Sequence, residues 1–300
     1  MTKSSENSRG ALLMMGAMCA YTVNDAFMKL ATTNFPLFQA IMIRGFGAVL
    51  CLALMCRFMG QFRFDFRASD WALIALRTLC EVTGTYFFLT ALLHMPIANI
   101  SAILQALPLT VALGAALLFR EPLGWRRLAA IAIGFVGVVL IIQPGGADFN
   151  SYSIYALITV LCVTVRDLAV RRMSHDVPPV FVALITAIGT TLLGCVGTAF
   201  TDMQPITGDA GRYIACATLF LSVGYILSVS AMRVGEIGFV APFRYTSLLV
   251  ALILGVLLFD EWPNLITILG ASIVVATGLF TLYREKQIKQ PIAPQSRRQR

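Results

Sequence analysis

Ten apolar runs, each about as long as a bilayer core is thick, alternate with short polar connections along this chain. They span residues 10–31, 37–57, 71–93, 97–119, 125–142, 152–170, 179–200, 211–232, 238–259 and 264–283. Roughly 18 or more consecutive apolar residues suffice to cross a hydrocarbon core of about 30 Å as a helix. Helix is the conformation lipid permits here, because hydrocarbon offers no partner to an exposed backbone N–H or C=O. The connections carry turn residues: Asn34-Phe35-Pro36, Pro144-Gly145-Gly146, Pro178-Pro179 and Trp262-Pro263. The pattern predicts an all-α integral membrane protein of ten transmembrane helices.

The pattern also repeats. Two apolar runs flank a short polar knot at Phe119-Arg120-Glu121-Pro122-Leu123, and the plan returns around Phe259-Asp260-Glu261-Trp262-Pro263. Ala91 matches Ala231, Leu117-Leu118-Phe119 matches Leu257-Leu258-Phe259, and Glu121 matches Glu261, all at a spacing of 140 residues. Toward the front of each copy the spacing is 142: Val23-Asn24-Asp25 with Lys29 against Val165-Arg166-Asp167 with Arg171, Pro36 against Pro178, Gly47 against Gly189. Spans one to five are therefore expected to recur as six to ten. Five is odd, so the second copy enters from the opposite side, and the prediction is two inverted five-helix repeats. Such repeats commonly support alternating access, with a solute site near the midplane.

Composition agrees with the pattern. The chain is 58% hydrophobic and 13% charged. Its formal charge of +8 does not signal nucleic acid, because the basic residues gather at helix ends and in the tail. With the N-terminus inside, Arg212 is the one basic residue in the outer connections, while Lys3, Arg9, Arg57, Arg63, Arg67, Arg120, Arg126, Arg127, Arg171, Arg172, Arg233 and the tail lie inside. This predicts both termini in the cytoplasm. The expected layout is a cytoplasmic segment 1–9, a first repeat 10–142, a periplasmic loop 143–151, a second repeat 152–283 and a basic tail 284–300. The seven Cys lie in or beside apolar runs without a CxxC pair, and His94 and His175 stand apart, so neither metal nor cofactor is expected. No phosphate-binding Gly-rich lysine loop occurs, so transport would run on a gradient or by exchange.

Ionisable groups inside such spans cost about 2.5–3.5 kcal/mol each on insertion scales and usually face a partner or water. Span one carries Asn24, Asp25 and Lys29; span two Arg44; span three Arg77, Glu81 and Tyr86; span four Asn99 and Gln105; span six Arg166 and Asp167; span nine Arg244 and Tyr245. Asp25–Lys29, Arg77–Glu81 and Asp167–Arg171 stand one turn apart and have the spacing of pairs that hold helices in register. Lys29, Arg171 and Arg77 also lie where a long side chain reaches the headgroups. The deeper Asp25, Glu81 and Arg244 are the candidates for solute binding or coupling: a carboxylate there is a carrier for a coupling proton, and an arginine there receives an anionic or carbonyl group. The candidate set is Asn24, Asp25, Arg44, Arg77, Glu81, Tyr86, Gln105, Arg244 and Tyr245. Aromatic residues at Tyr86-Phe87-Phe88 and at Tyr225, Phe239, Phe243 and Tyr245 either pack or favour a ring-bearing solute. Spans five and ten carry Ala130, Gly134, Gly270 and Ala271 and no charge between residues 128–142 and 265–282, which reads as scaffold or a homodimer surface.

The chain resembles the drug/metabolite transporter superfamily, EamA family, along nearly its whole length. The likeness rests on the paired Phe-x-Glu elements at Glu121 and Glu261, on Pro96-Ile97-Ala98, on Pro108, and on Ala241-Pro242-Phe243-Arg244-Tyr245. It implies ten helices in a bacterial inner membrane and secondary transport of a small organic solute. Asn24-Asp25 with Lys29, and Arg77 with Gly84 and Tyr86, look like the branch that includes S-adenosylmethionine and riboflavin transporters. Riboflavin is then the first expected solute, before S-adenosylmethionine or an amino acid, with the bilayer and a proton or other ion as further partners. Gln105 departs from the apolar residues usual there. The competing classes are a membrane-embedded enzyme, disfavoured by the lack of a nucleophile–base or metal cluster, and an inert scaffold, disfavoured by so many deep polar residues.

Overall fold

The computed structural model describes residues 3–120, 124–145, 149–174, 176–206, 208–234 and 237–288. Glu121, Pro122 and Leu123 of the first knot, His175 and the tail beyond residue 288 lie outside the described residues.

The described residues form helices and no strands: α1 Lys3–Thr32, α2 Leu37–Phe58, α3 Ala68–His94, α4 Ile97–Leu104, α5 Leu107–Phe119, α6 Trp125–Ile142, α7 Ser153–Arg172, α8 Pro179–Ala199, α9 Gly208–Val234, α10 Ile237–Val240, α11 Thr246–Phe259 and α12 Leu265–Ile288. Ten segments are long and apolar enough to cross a membrane. Two of them are not continuous helices, unlike the runs expected at 97–119 and 238–259. The fourth span breaks between α4 and α5, where Pro108 has no N–H to donate and its ring would collide with the carbonyl of Leu104. The chain tightens there: Gln105 N donates to the Ala102 carbonyl and Ala106 N to the Ile103 carbonyl, at 3.2 and 3.0 Å. In the ninth span a 3-10 turn, Ala241–Tyr245, with Pro242 in its first turn, separates α10 from α11. The two breaks meet, because Gln105 Nε2 donates to Ser247 Oγ at 2.9 Å.

The duplication is visible in packing. Helix α1 lies along α9, α3 along α7, α2 along α8, α6 along α12, and α4 along α11. In repeat terms the first span packs on the third of the other copy, the third on the first, and the second, fourth and fifth each on their own counterpart. That reciprocity is what a two-fold relation between copies produces. The paired helices run antiparallel: Tyr21 meets Tyr225 while Phe27 meets Tyr213. Even the ends agree. Arg120 and Asp260, 140 residues apart, both close their helices in the left-handed conformation, at φ 54° and 53°.

The pairs are packed unequally along their length. At the end bearing Glu261, one buried apolar cluster takes residues from every span but the seventh, among them Ala31, Ile41, Leu92, Ile100, Ile141, Val160, Ile214, Ala251 and Val274. Toward the end where α1 begins and α12 finishes, the described core divides into four smaller clusters. One joins Leu52 and Cys56 to Phe181, one joins Met14 and Ala17 to Ala231 and Val240, one joins Ile74 to Val182, and one joins Leu109 to Ile131. The buried core is continuous at the Glu261 end and divided into smaller clusters at the terminal end.

Candidate functional site

Where the welded core gives way to the separated clusters, charged side chains from four spans come together. Arg166 on α7 donates through Nη1 to Glu81 Oε2 on α3 at 2.8 Å and through Nε to Asp167 Oδ1 at 3.0 Å. Arg44 on α2 donates through Nη1 to Asn24 Oδ1 on α1 at 3.2 Å, and the Asn24 amide donates to Asp25 Oδ1 at 2.9 Å. Arg77 on α3 donates through Nη1 to Thr186 Oγ1 on α8 at 2.7 Å. Glu81 and the Tyr225 hydroxyl on α9 both lie within electrostatic reach of Arg44, Arg77 and Arg166. Tyr21 sets its ring edge-on to Tyr225, with centroids 5.8 Å apart. The side chains of Arg166, Glu81 and Asp167 keep 20, 25 and 30% exposure although they sit within the spans. Charged groups at that depth that keep accessible surface are not fully sealed into the core.

The one-turn pairs do not form as the spacing suggests. Glu81 takes Arg166 from the other repeat, and Arg77 takes a hydroxyl on α8. Asp167 takes its neighbour Arg166. Lys29 turns away from Asp25 and donates to Glu261 Oε1 at 2.6 Å and to the Met95 carbonyl at 2.8 Å. The reason is burial. A lysine that is 9% exposed must satisfy several N–H groups at once, and the end of α3 and the knot after α11 supply a carbonyl and a carboxylate together. Glu261 Oε2 also accepts from Ile97 N at 2.9 Å, placing negative charge at the first turn of α4, where unpaired N–H groups favour it. Lys29 and Glu261 thus fasten α1, α4 and the second knot at the welded end.

The remaining candidates lie elsewhere. Gln105 is buried at the crossing of the broken spans. Tyr245 is 8% exposed, lies against Gly278 of α12, and its buried hydroxyl has no hydrogen-bond partner among the described residues. Arg244 is exposed on the 3-10 turn. Tyr86 stacks on Phe38 with centroids 6.0 Å apart and touches Phe87 edge-on, away from the charges. So Asn24, Asp25, Arg44, Arg77 and Glu81 come together, and Tyr86, Gln105, Arg244 and Tyr245 do not join them. Arg166, Asp167, Tyr21, Tyr225 and Thr186 complete the cluster. Arg166 and Asp167 are visible in the sequence as charges within an apolar run, but their partner across the repeats is not. Among the described residues no group of three His, Cys, Asp or Glu side chains fits a metal ion.

A two-copy helical bundle with a polar group at the copy interface is the architecture of a membrane transporter, and the family comparison agrees. The model of the EamA-like transporter family matches residues 8–143 and again 150–283, so this chain belongs to that family. Its relatives include an S-adenosylmethionine uptake transporter of Rickettsia prowazekii, 23% identical over 268 residues, which cover 89% of this chain and 90% of the relative. A riboflavin transporter of Vibrio cholerae is 27% identical over 281 residues, covering 91 and 92%. An uncharacterized transporter of Helicobacter pylori is 24% identical over 282 residues, covering 90 and 92%. A crystal structure of another protein, 14% identical, superposes with a TM-score of 0.63 over 95% of this chain and all of that one, which shows a shared fold.

Proposed function

We propose that this chain is a secondary transporter that moves a small organic metabolite across the bacterial inner membrane by alternating access, and that it is not an enzyme. The carrying observation is the partly exposed cluster of Glu81, Arg166, Asp167, Arg44, Arg77 and Asp25 at the repeat interface, where the welded half meets the separated half. A bundle closed at one end and loosened at the other, with its charges at the junction, is one state of an alternating-access cycle. The one-sided basic residues support a cytoplasmic position for the loosened end, with residues 143–151 and the Lys29–Glu261 fastening on the periplasmic side. The two solutes named for the relatives both carry fused nitrogenous rings. Tyr21 and Tyr225 beside the cluster supply the faces to stack on such a ring. A ring-bearing metabolite of the riboflavin or S-adenosylmethionine kind is therefore the solute class we infer.

The test is flux into proteoliposomes of the purified protein under imposed proton and sodium gradients. Labelled riboflavin or S-adenosylmethionine should accumulate above empty vesicles, and Glu81→Gln should lower the rate at least about tenfold, the loss that one charge-assisted hydrogen bond to the solute of about 1.5–3 kcal/mol carries. Full-rate flux in both Glu81→Gln and Arg77→Gln would show that the cluster is not the solute path.

A further inference from the structure

The connection between α2 and α3, RFMGQFRFDFR over residues 57–67, interleaves aromatic and basic side chains. Gly60 closes α2 in the left-handed conformation at φ 63°, and Gln61 N donates back to the Cys56 carbonyl at 2.9 Å. The chain then straps the end of the bundle. Phe64 and Phe66 both meet Phe181 of α8, with centroids 5.2 and 5.6 Å apart. Trp71 at the start of α3 meets Phe66 at 5.9 Å and Phe181 at 6.2 Å. Phe58 and Phe64 nevertheless keep 84 and 65% exposure. Arg57, Arg63 and Arg67 are exposed and form no ion pair among the described residues. Beside the strap a hollow of about 450 Å³ opens on the outside of the bundle. Trp71, Ile74, Thr78 and Val82 are among its lining residues on α3, and Ile185 closes it from α8. From residue 71 to 82 the helix rises about 16 Å, and Arg67 stands one turn before Trp71, where the hollow begins.

The second copy supplies an internal comparison. At the spacing of 142 its corresponding connection is residues 199–209, and it is as bare: Phe200 is 85% exposed and Ile206 58%. It lacks the arginines. Residues 57–67 hold three arginines and one aspartate, a charge of +2, whereas residues 199–209 hold Asp202 and Asp209 with no basic residue, a charge of −2. The copies are inverted, so the two connections lie on opposite faces of the membrane. The exposed tryptophans repeat the contrast. Arg126 lies over the Trp125 ring at 5.5 Å at the end that bears the strap, while Trp262 at the other end donates to Asp260 at 3.1 Å. Any lipid covers an apolar surface; positive charge on one face alone selects among headgroups.

We propose that the strap and the hollow form a site for one anionic phospholipid, with its phosphate at Arg63 and Arg67 and an acyl chain along α3 in the hollow. A guanidinium presents a planar N–H fork that matches phosphate. The rings of Phe58 and Phe64 suit headgroup level. Phosphatidylcholine offers the same chain and phosphate, but its own cation cancels the charge the arginines select. The site lies outside the central cluster, so it stands or falls apart from the identity of the solute.

Tryptophan quenching by lipids with brominated acyl chains reads this site, because Trp71 lines the hollow. Trp125→Phe with Trp262→Phe leaves Trp71 as the sole tryptophan, and Trp71→Phe with Trp125→Phe leaves Trp262. Each full-length protein is placed in phosphatidylcholine vesicles containing brominated phosphatidylglycerol or brominated phosphatidylcholine. One arginine near an anionic headgroup contributes about fivefold in affinity. Half-quenching of Trp71 should therefore need an at least about fivefold lower share of the brominated phosphatidylglycerol, and Trp262 should show no preference. Arg63→Gln with Arg67→Gln should bring the Trp71 ratio close to one. Ala75→Phe, which fills the hollow, should weaken quenching of Trp71 by both lipids. Equal quenching of Trp71 by the two lipids, the same preference at Trp262, or a preference that survives loss of both arginines would overturn the headgroup assignment. Unchanged quenching in Ala75→Phe would overturn the acyl-chain site. If the arginine variant fails to insert, the comparison of Trp71 with Trp262 decides alone.

Discussion

Glu81 and Arg166 show how much one partner decides. On α3 alone, Arg77 stands one turn before Glu81 and is its obvious partner. The folded chain gives Glu81 to Arg166 at 2.8 Å and sends Arg77 to Thr186. Losing one member of a fully buried pair costs about 3–5 kcal/mol, but these side chains keep 20 and 25% exposure, and water screens them. Glu81→Gln should therefore destabilise the protein by only about 1–2 kcal/mol, read as a shift in thermal unfolding in detergent, while lowering flux far more. A variant that loses flux and stability in proportion would make the pair structural. The exchange Glu81→Arg with Arg166→Glu should recover stability relative to either single change, and an additive loss would deny the contact. The ionisable positions were all legible as charges within apolar runs. Their partners were not, because spacing along one helix says which groups share a face and nothing about what the neighbouring helix brings to it.

Among elements, the pairing of α6 with α12 and the fastening at Glu261 lead to separate expectations. A Cβ at Gly137 would stand 2.8 Å from the Gly270 carbonyl, and one at Gly270 would stand 2.6 Å from the Gly137 carbonyl. The two backbones touch, as small residues permit. Gly137→Val should push the helices apart and cost about 1–3 kcal/mol, visible in thermal unfolding, with the solute preference of the central site unchanged. At the welded end, Glu261→Gln leaves Lys29 without its counter-charge and weakens the cap on Ile97 N. In a background without the native cysteines, Ala31→Cys, at a position 2% exposed in the welded cluster, should then react faster with a membrane-impermeant thiol reagent applied from the Glu261 side. Unchanged labelling would mean that the fastening does not hold that end shut. The broken spans were half legible. Pro108 and Pro242 announce interrupted helices, whereas the meeting of Gln105 with Ser247 depends on where the breaks fall in space.

For the whole molecule, the testable property is polarity. Two copies of an odd number of spans must face opposite ways, so a reporter inserted at Gly145 and one fused after Arg300 should appear on opposite sides of the membrane. The same side for both would end the inverted-repeat reading. Ten spans and two copies followed from sequence because a bilayer imposes one rule everywhere: apolar length and satisfied backbone. That rule is local, so composition and spacing carry it. The arrangement of spans is not local. The reciprocal packing of α1 on α9 and α3 on α7, the weld at one end and the divided core at the other, and the handing of Glu81 to Arg166 with Arg44 and Arg77 left to neutral acceptors all involve groups 85 or more residues apart or on different helices. Only packing decides which of several equally apolar faces meet, and that decision set the charge pattern of the site.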